Sequence, residues 1–204
     1  MGMISHYSAV TLPIGIGILA GYLLSKGKKV KIIDEQVSPI DNSFDNIRIY
    51  LKELENPYMF GISCLTINIH RAYEISELIK ARYPDSKVIL GGIHPTVLPQ
   101  DSLSESAADI VVRGEGEETL FLLYEAIQNN RSYFNIAGIS FKDGSKIIHT
   151  PDRPLIENLD QISLFPYELF ADTRYDLGFM ISSRGCPYNC SFCSQRNISK
   201  QQYR

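Results

Sequence analysis

What this sequence of 204 residues lacks narrows its function first. It has no basic excess: 20 Lys and Arg face 23 Asp and Glu, for a net charge of −3. A binder of phosphate backbones normally shows a basic face, so composition makes no case for nucleic acid. The Lys26-Gly27-Lys28-Lys29 group reads as a solvated helix end, where cations offset the dipole. Nor is there a long hydrophobic run. The longest apolar stretch, Leu12 to Leu24, contains Gly15, Gly17 and Gly21 and falls short of the ~20 residues that cross a bilayer. No basic residue precedes it, so a signal peptide fits poorly, and the expected location is cytoplasmic with no membrane contact. Cysteine is scarce and uneven: Cys64 stands alone, then Cys186, Cys190 and Cys193 fall within eight residues. A disulfide framework would spread its cysteines through the chain, so the clustering points to a metal. Internal repeats and low-complexity tracts are absent.

What is present is ordinary for a folded protein: 44% hydrophobic and 21% charged residues, enough chain for one domain or one domain plus part of another. Ile14, Ile18, Leu19, Tyr22 and Leu23 repeat at helical spacing, and Gly27 closes that helix. Val30 to Ile33 is expected to be a short buried strand, and Asp41 to Leu54 a helix with Phe44, Ile47 and Leu51 on one side. Met59 to Ser63, Val88 to Leu90 and Ile110 to Val112 read as further strands. Between and after them lie helices around Ala72–Ile79 and Glu117–Ile127. Strands separated by helices imply crossover connections and a doubly wound parallel α/β sheet of Rossmann-like form. Ligands bind such sheets beyond the carboxyl ends of the strands, where this chain puts Ser63, Gly91-Gly92 and Gly114. Past residue 130 the pattern changes. Ile136 to Phe141 and Lys146 to His149 flank Asp143-Gly144, a hairpin signal, and Pro151 to Pro166 reads as a linker. Phe179 to Ser183 is expected to be a strand running into the cysteine loop. The expected division is thus an α/β domain over 1–130, hairpin and linker over 131–175, and a new domain beginning at 176–204.

The loop reads Arg184-Gly185-Cys186-Pro187-Tyr188-Asn189-Cys190-Ser191-Phe192-Cys193, a Cys-x3-Cys-x2-Cys spacing. Structural zinc sites use four ligands, usually in two separated pairs, and closed iron–sulfur clusters use four thiolates. Three thiolates on one loop would leave one iron of a four-iron cluster open to an outside molecule. Structural zinc and three unconnected thiols are the alternatives. The loop resembles that of the radical S-adenosylmethionine superfamily, including the aromatic Phe192 before the third cysteine. The resemblance implies that Cys186, Cys190 and Cys193 hold a [4Fe-4S] cluster whose open iron binds S-adenosylmethionine. Reductive cleavage then gives a 5′-deoxyadenosyl radical, with Phe192 near the adenine and an electron donor such as flavodoxin or ferredoxin. The superfamily's partial β/α barrel is represented by only its first strand and cluster loop, so the resemblance implies an N-terminal piece that does not turn over substrate alone.

The first ~130 residues resemble the cobalamin-binding domain that precedes this barrel in one branch of the superfamily. The matching pieces are Leu12-Pro13-Ile14-Gly15, Gly61-Ile62-Ser63-Cys64-Leu65-Thr66, Gly91-Gly92-Ile93-His94-Pro95-Thr96 and Arg113-Gly114-Glu115-Gly116-Glu117. Ser63-Cys64-Leu65 and Gly91-Gly92 correspond to the Ser-x-Leu and Gly-Gly of cobalamin-binding folds. The resemblance implies cobalamin contacts from Ser63, Leu65, Thr66, Gly91, Gly92, His94, Gly114 and Glu115. The cobalt-ligating run Asp-x-His-x-x-Gly is missing, so His6 and His94 read as loop histidines rather than cobalt ligands. Met1 to Val10 is short and polar beside the apolar first strand of such domains.

Other features have plainer accounts. Gly15 to Gly21 has the wrong spacing for a dinucleotide fingerprint and suits close helix packing. Cys64 reads as a buried small hydrophobe. Glu115, Glu117 and Glu118 line a helix start, with Glu115 a candidate cofactor contact. The leading expectation is the front of a cobalamin-dependent radical S-adenosylmethionine enzyme, for methyl transfer to unreactive carbon or cyclisation of a small-molecule or peptide substrate. One alternative is a radical enzyme whose front domain binds substrate or scaffolds without cobalamin. Another is a non-enzymatic α/β domain with a structural metal clip.

Overall fold

A computed structural model of the chain describes residues 10–40, 45–54, 58–171, 174–178 and 180–204. His6, Phe44, Phe179 and the run before Val10 lie outside them, so the expectations there are untouched.

In chain order the regular elements are β1 (Val10–Thr11), α1 (Ile14–Ser25), α2 (Asp45–Leu51), β2 (Met59–Ser63), α3 (Ile69–Arg82), β3 (Lys87–Gly91), α4 (Ile93–Val97) and α5 (Pro99–Ser104). Then come β4 (Ile110–Val112), α6 (Glu117–Gln128), β5 (Ile139–Asp143), β6 (Lys146–His149), β7 (Tyr175–Asp176) and α7 (Gln195–Ser199). Five strands form one sheet in the order β2-β3-β4-β5-β6. Its first three are parallel, with Met59 opposite Lys87 and Ile89 opposite Ile110.

The middle of the sheet follows directly from side-chain alternation. In β3, Val88, Ile89 and Leu90 are all buried, as a strand covered on both faces must be. Val88 and Leu90 join Val111 in the core under α3, whose Ala72, Ile75 and Ile79 recur at helical spacing. Ile89, Ile110 and Val112 turn the other way, towards Leu123 and Ile127 of α6. Each such large apolar side chain contributes roughly 1.5–3 kcal/mol by leaving water. The sheet is therefore an α/β layer with helices on both faces, as expected.

The hairpin at Asp143 forms, with Asp143 paired to Lys146, and it adds to the main sheet. Because β5 runs antiparallel to β4, the sheet is parallel over its first three strands only. The expected glycine packing on α1 is also seen. A Cβ on Gly17 would lie 2.0 Å from the Phe165 ring, and one on Gly21 would lie 2.8 Å from the Leu164 carbonyl oxygen. The proline-rich segment thus lies directly against α1.

Four expectations need correcting. Val30–Ile33 is not a strand and, apart from the exposed Lys31, is partly buried; no strand lies beside it among the described residues. Val30 to Ile32 line the same cavity as β2, whose outer edge is unpaired among the described residues. Residues 180–183 likewise form no strand; Met180 and Ile181 are exposed and have no strand partner among the described residues. The expected 41–54 helix is described only over Asp45–Leu51, giving way to turns beyond Leu51. Finally, Lys28 is not a freely solvated helix-end charge: it pairs with Glu125 and lies over the Phe121 and Tyr124 rings. Two short helices, α4 and α5, were not foreseen; they follow the Gly91-Gly92 turn. No helix among the described residues is long and apolar enough to cross a membrane.

Candidate cofactor-binding site

A cavity of about 810 Å³ runs along β2, from Met59 to Ser63, and past the carboxyl ends of β3 and β4. Ser63 ends β2, Gly91 ends β3 with Gly92 just after it, and Gly114 and Glu115 follow β4; all five line it. Ile16 and Leu19 of α1 and Leu120 and Tyr124 of α6 form apolar walls, and Val30, Lys31 and Ile32 complete the lining beside β2. Two glycines leave this space open. A Cβ on Gly15 or Gly61 would meet no heavy atom within 4 Å. A cavity with apolar walls, polar and glycine-rich strand ends and no side chain at Gly15 or Gly61 suits a large, flat, partly apolar ligand. The residues present therefore fit a corrin with its tail.

The turns at the strand ends are held by backbone geometry. Gly92 has φ +99°, a left-handed value that favours glycine, and a Cβ there would lie 2.5 Å from the Cys64 carbonyl oxygen. The Cys64 amide donates to the Gly91 carbonyl at 2.9 Å. Thr96 joins the neighbouring turn: its hydroxyl donates to the Gly92 carbonyl at 2.7 Å and accepts from the Gly114 amide at 3.1 Å. Thr96 was not singled out from the sequence, although it sits in the quoted Gly-Gly-Ile-His-Pro-Thr run.

Other expected contacts stand outside the cavity. Leu65 is exposed, and Thr66 and His94 face each other, with the His94 Nδ1 3.1 Å from the Thr66 hydroxyl. His94 sits on α4 rather than in a loop. Phe192 is 91% exposed.

Glu115 lines the cavity yet spends its carboxylate on the protein. It accepts from both Nη atoms of Arg204, at 3.1 and 2.7 Å, from Arg184 at 3.2 Å and from the Ile156 amide at 2.7 Å. Burial would raise its pKa, but Arg204, the Ile156 amide and Arg184 outweigh that and hold it below the usual glutamate value. A carboxyl lowered in the folded state stabilises fully above its unfolded pKa and loses that contribution as pH falls through the folded one. The contacts of residues 184 and 204 are therefore expected to hold at neutral pH and to loosen in acid, as the pH falls below the ordinary glutamate range. Amide exchange of Arg184 and Arg204 against pH checks this.

All four cysteines are free. Cys64 is buried, as expected, and donates to the Gly91 carbonyl; burial pushes its thiol up to about 12. In the metal-free native chain, iodoacetamide is therefore expected to modify Cys186, Cys190 and Cys193 and spare Cys64, read by peptide mass analysis. Cys190 is exposed and Cys186 and Cys193 are partly so. As three accessible thiols on one loop they suit a soft metal cluster in kind. Among the described residues, no three Cys, His, Asp or Glu side chains are gathered closely enough to hold a metal ion.

Fold and cavity together define an α/β domain with an open cavity reaching the ends of its parallel strands, where domains of this class bind ligands. Residues 2–123 match the B12 binding domain, and the chain belongs to that family. An uncharacterized methyltransferase of Pyrococcus horikoshii is 35% identical over 188 residues, 89% of this chain and 40% of the relative. The anaerobic magnesium-protoporphyrin IX monomethyl ester cyclase of Rubrivivax gelatinosus is 33% identical over 196 residues, 90% of this chain and 35% of that protein. The cobalamin-dependent S-adenosylmethionine radical enzyme OxsB, solved with aqua-cobalamin and S-adenosylmethionine bound, superposes with a TM-score of 0.73 at 25% identity. That match covers 95% of this chain and 27% of OxsB. This chain thus spans well under half the length of these relatives.

Proposed function

We propose that the chain is the cofactor-handling part of a cobalamin-dependent radical S-adenosylmethionine enzyme, acting in methyl transfer to unreactive carbon or in cyclisation. One observation carries the reading: Ser183, Arg184 and Gly185, which lead into the cysteine loop, line the same cavity as the strand ends that suit a corrin. The two cofactors would then share one chamber. A cluster on Cys186, Cys190 and Cys193, when bound, supplies one electron for reductive cleavage of S-adenosylmethionine, and cobalamin supplies a methyl relay. The residues of the chain do the rest. Ser63 offers a hydroxyl at the end of β2, and Gly15, Gly61, Gly91 and Gly92 let backbone approach the ligand. The apolar faces of α1 and α6 exclude water from its flank. The substrate, whether a small molecule or a peptide, and a flavodoxin- or ferredoxin-type electron donor would meet the surface around the loop.

Anaerobic reconstitution with iron, sulfide and hydroxocobalamin tests this. The expected product, after gel filtration, carries corrin absorption and a cubane signal, and any single Cys186, Cys190 or Cys193 to alanine change lowers iron and sulfide content. Iron–sulfur bands without corrin would instead favour a scaffolding front domain. Zinc without sulfide would favour a structural clip.

A further inference from the structure

The loop with the three cysteines is closed at its base by a short ribbon. Arg184 and Arg204 exchange backbone hydrogen bonds at 2.9 Å each, the Cys186 amide donates to the Gln202 carbonyl at 3.1 Å, and Gly185 bridges Tyr203. Gly185 is required there: its φ is +93°, and a Cβ would lie 1.9 Å from the Gln202 carbonyl oxygen. Both arginines of the ribbon reach the turn before α6. Besides its bond to Glu115, Arg184 donates to Glu117 at 2.5 Å, and Arg204 grips Glu115 with two nitrogens. Side-chain exposures of 10% for Glu115, 4% for Glu117, 17% for Arg184 and 12% for Arg204 take the cluster largely out of water.

Such a cluster is a poor stabiliser, because desolvation offsets the attraction of the charges. Here Glu117 Oε2 and Arg204 Nε also lack hydrogen-bond partners among the described residues, which weakens it further. What opposed, forked and buried charges do supply is a single register between the parts they join. We propose that Glu115 and Glu117 are positioning residues that lock the base of the cysteine loop against the wall of the cofactor cavity, setting the separation of cluster and corrin. This rests on the cofactor assignment above, and it assigns the Arg-Gly-Glu-Gly-Glu run a mechanical role between domains rather than a contact to cobalamin.

The test uses the chain reconstituted with cluster and cobalamin, as parent, Glu115→Gln, Glu117→Gln and the double variant. Amide exchange reads Arg184, Cys186 and Arg204, with β3 amides as a folding control. Pulsed EPR on the reduced protein reads the distance between cob(II)alamin and the cluster. The expected result is exchange at least about tenfold faster at the loop base in the double variant, with β3 unchanged. Iron and corrin content should stay at parent level while one narrow distance becomes a broad or shifted distribution. Unchanged base exchange, or an unchanged distance distribution, would overturn the proposal. If β3 exchange also rises, Arg184→Lys replaces the double variant, since lysine keeps the charge but cannot fork between two carboxylates. A parent that assembles no cluster refutes the cofactor assignment, while the exchange data still decide whether the two glutamates hold the loop.

Discussion

Replacing Gly61 by phenylalanine is expected to leave the fold standing and to cut cobalamin uptake more than about tenfold, or ~1.4 kcal/mol. Gly61 lies in the middle of β2, paired in register with Ile89, and a Cβ there would touch nothing within 4 Å. Its backbone is not in the left-handed region, so an L side chain sits there without strain. Aromatic residues suit strands, and the exposed position removes no packing, so stability should change by only ~0.5 kcal/mol. The new ring would occupy the cavity itself. Corrin absorbance after desalting, set beside a urea midpoint, separates the two effects. Parent-level corrin in this variant would show that the ligand sits elsewhere.

Gly92→Ala should do the reverse and strike the fold first. Its φ of +99° and ψ of −168° belong to a region that is essentially glycine's own. A Cβ would also press to 2.5 Å from one backbone oxygen, that of Cys64, which cannot swing aside as a side-chain tip would. Strain and overpacking together are expected to cost on the order of 3 kcal/mol, a large share of an ordinary domain's stability. Because Cys64 is hydrogen-bonded to Gly91 across the ends of β2 and β3, the damage falls on the floor of the cavity. A urea midpoint reads the loss. Cys64 should become alkylatable in the same variant, since relaxation of this turn would uncover its thiol.

The elements legible in the sequence were those whose signal is local. Val88-Ile89-Leu90 announces a strand covered on both sides, the spacing of Ala72, Ile75 and Ile79 announces α3, and Asp143-Gly144 announces the hairpin. The strand ends were legible too: Ser63, Gly91, Gly92, Gly114 and Glu115 do meet in one cavity, because a parallel sheet brings all its carboxyl ends to one edge. Val30–Ile33 misled for the same reason that the others succeeded. Its residues suit a strand, but a strand exists only beside a partner, and composition does not say whether one is there.

The sequence by itself determined the alternation of strand and helix, the glycine turns that open the site, and the trio of thiols on one loop. Each depends on residues within a few positions of one another. Only the tertiary structure decided that Glu115 answers to Arg184 and Arg204, 69 and 89 residues away, and that the base of the loop forms a wall of the cavity. Such pairings follow from how the last turn of chain lies against the start of α6. No periodicity or motif spacing encodes a contact between charges that distant.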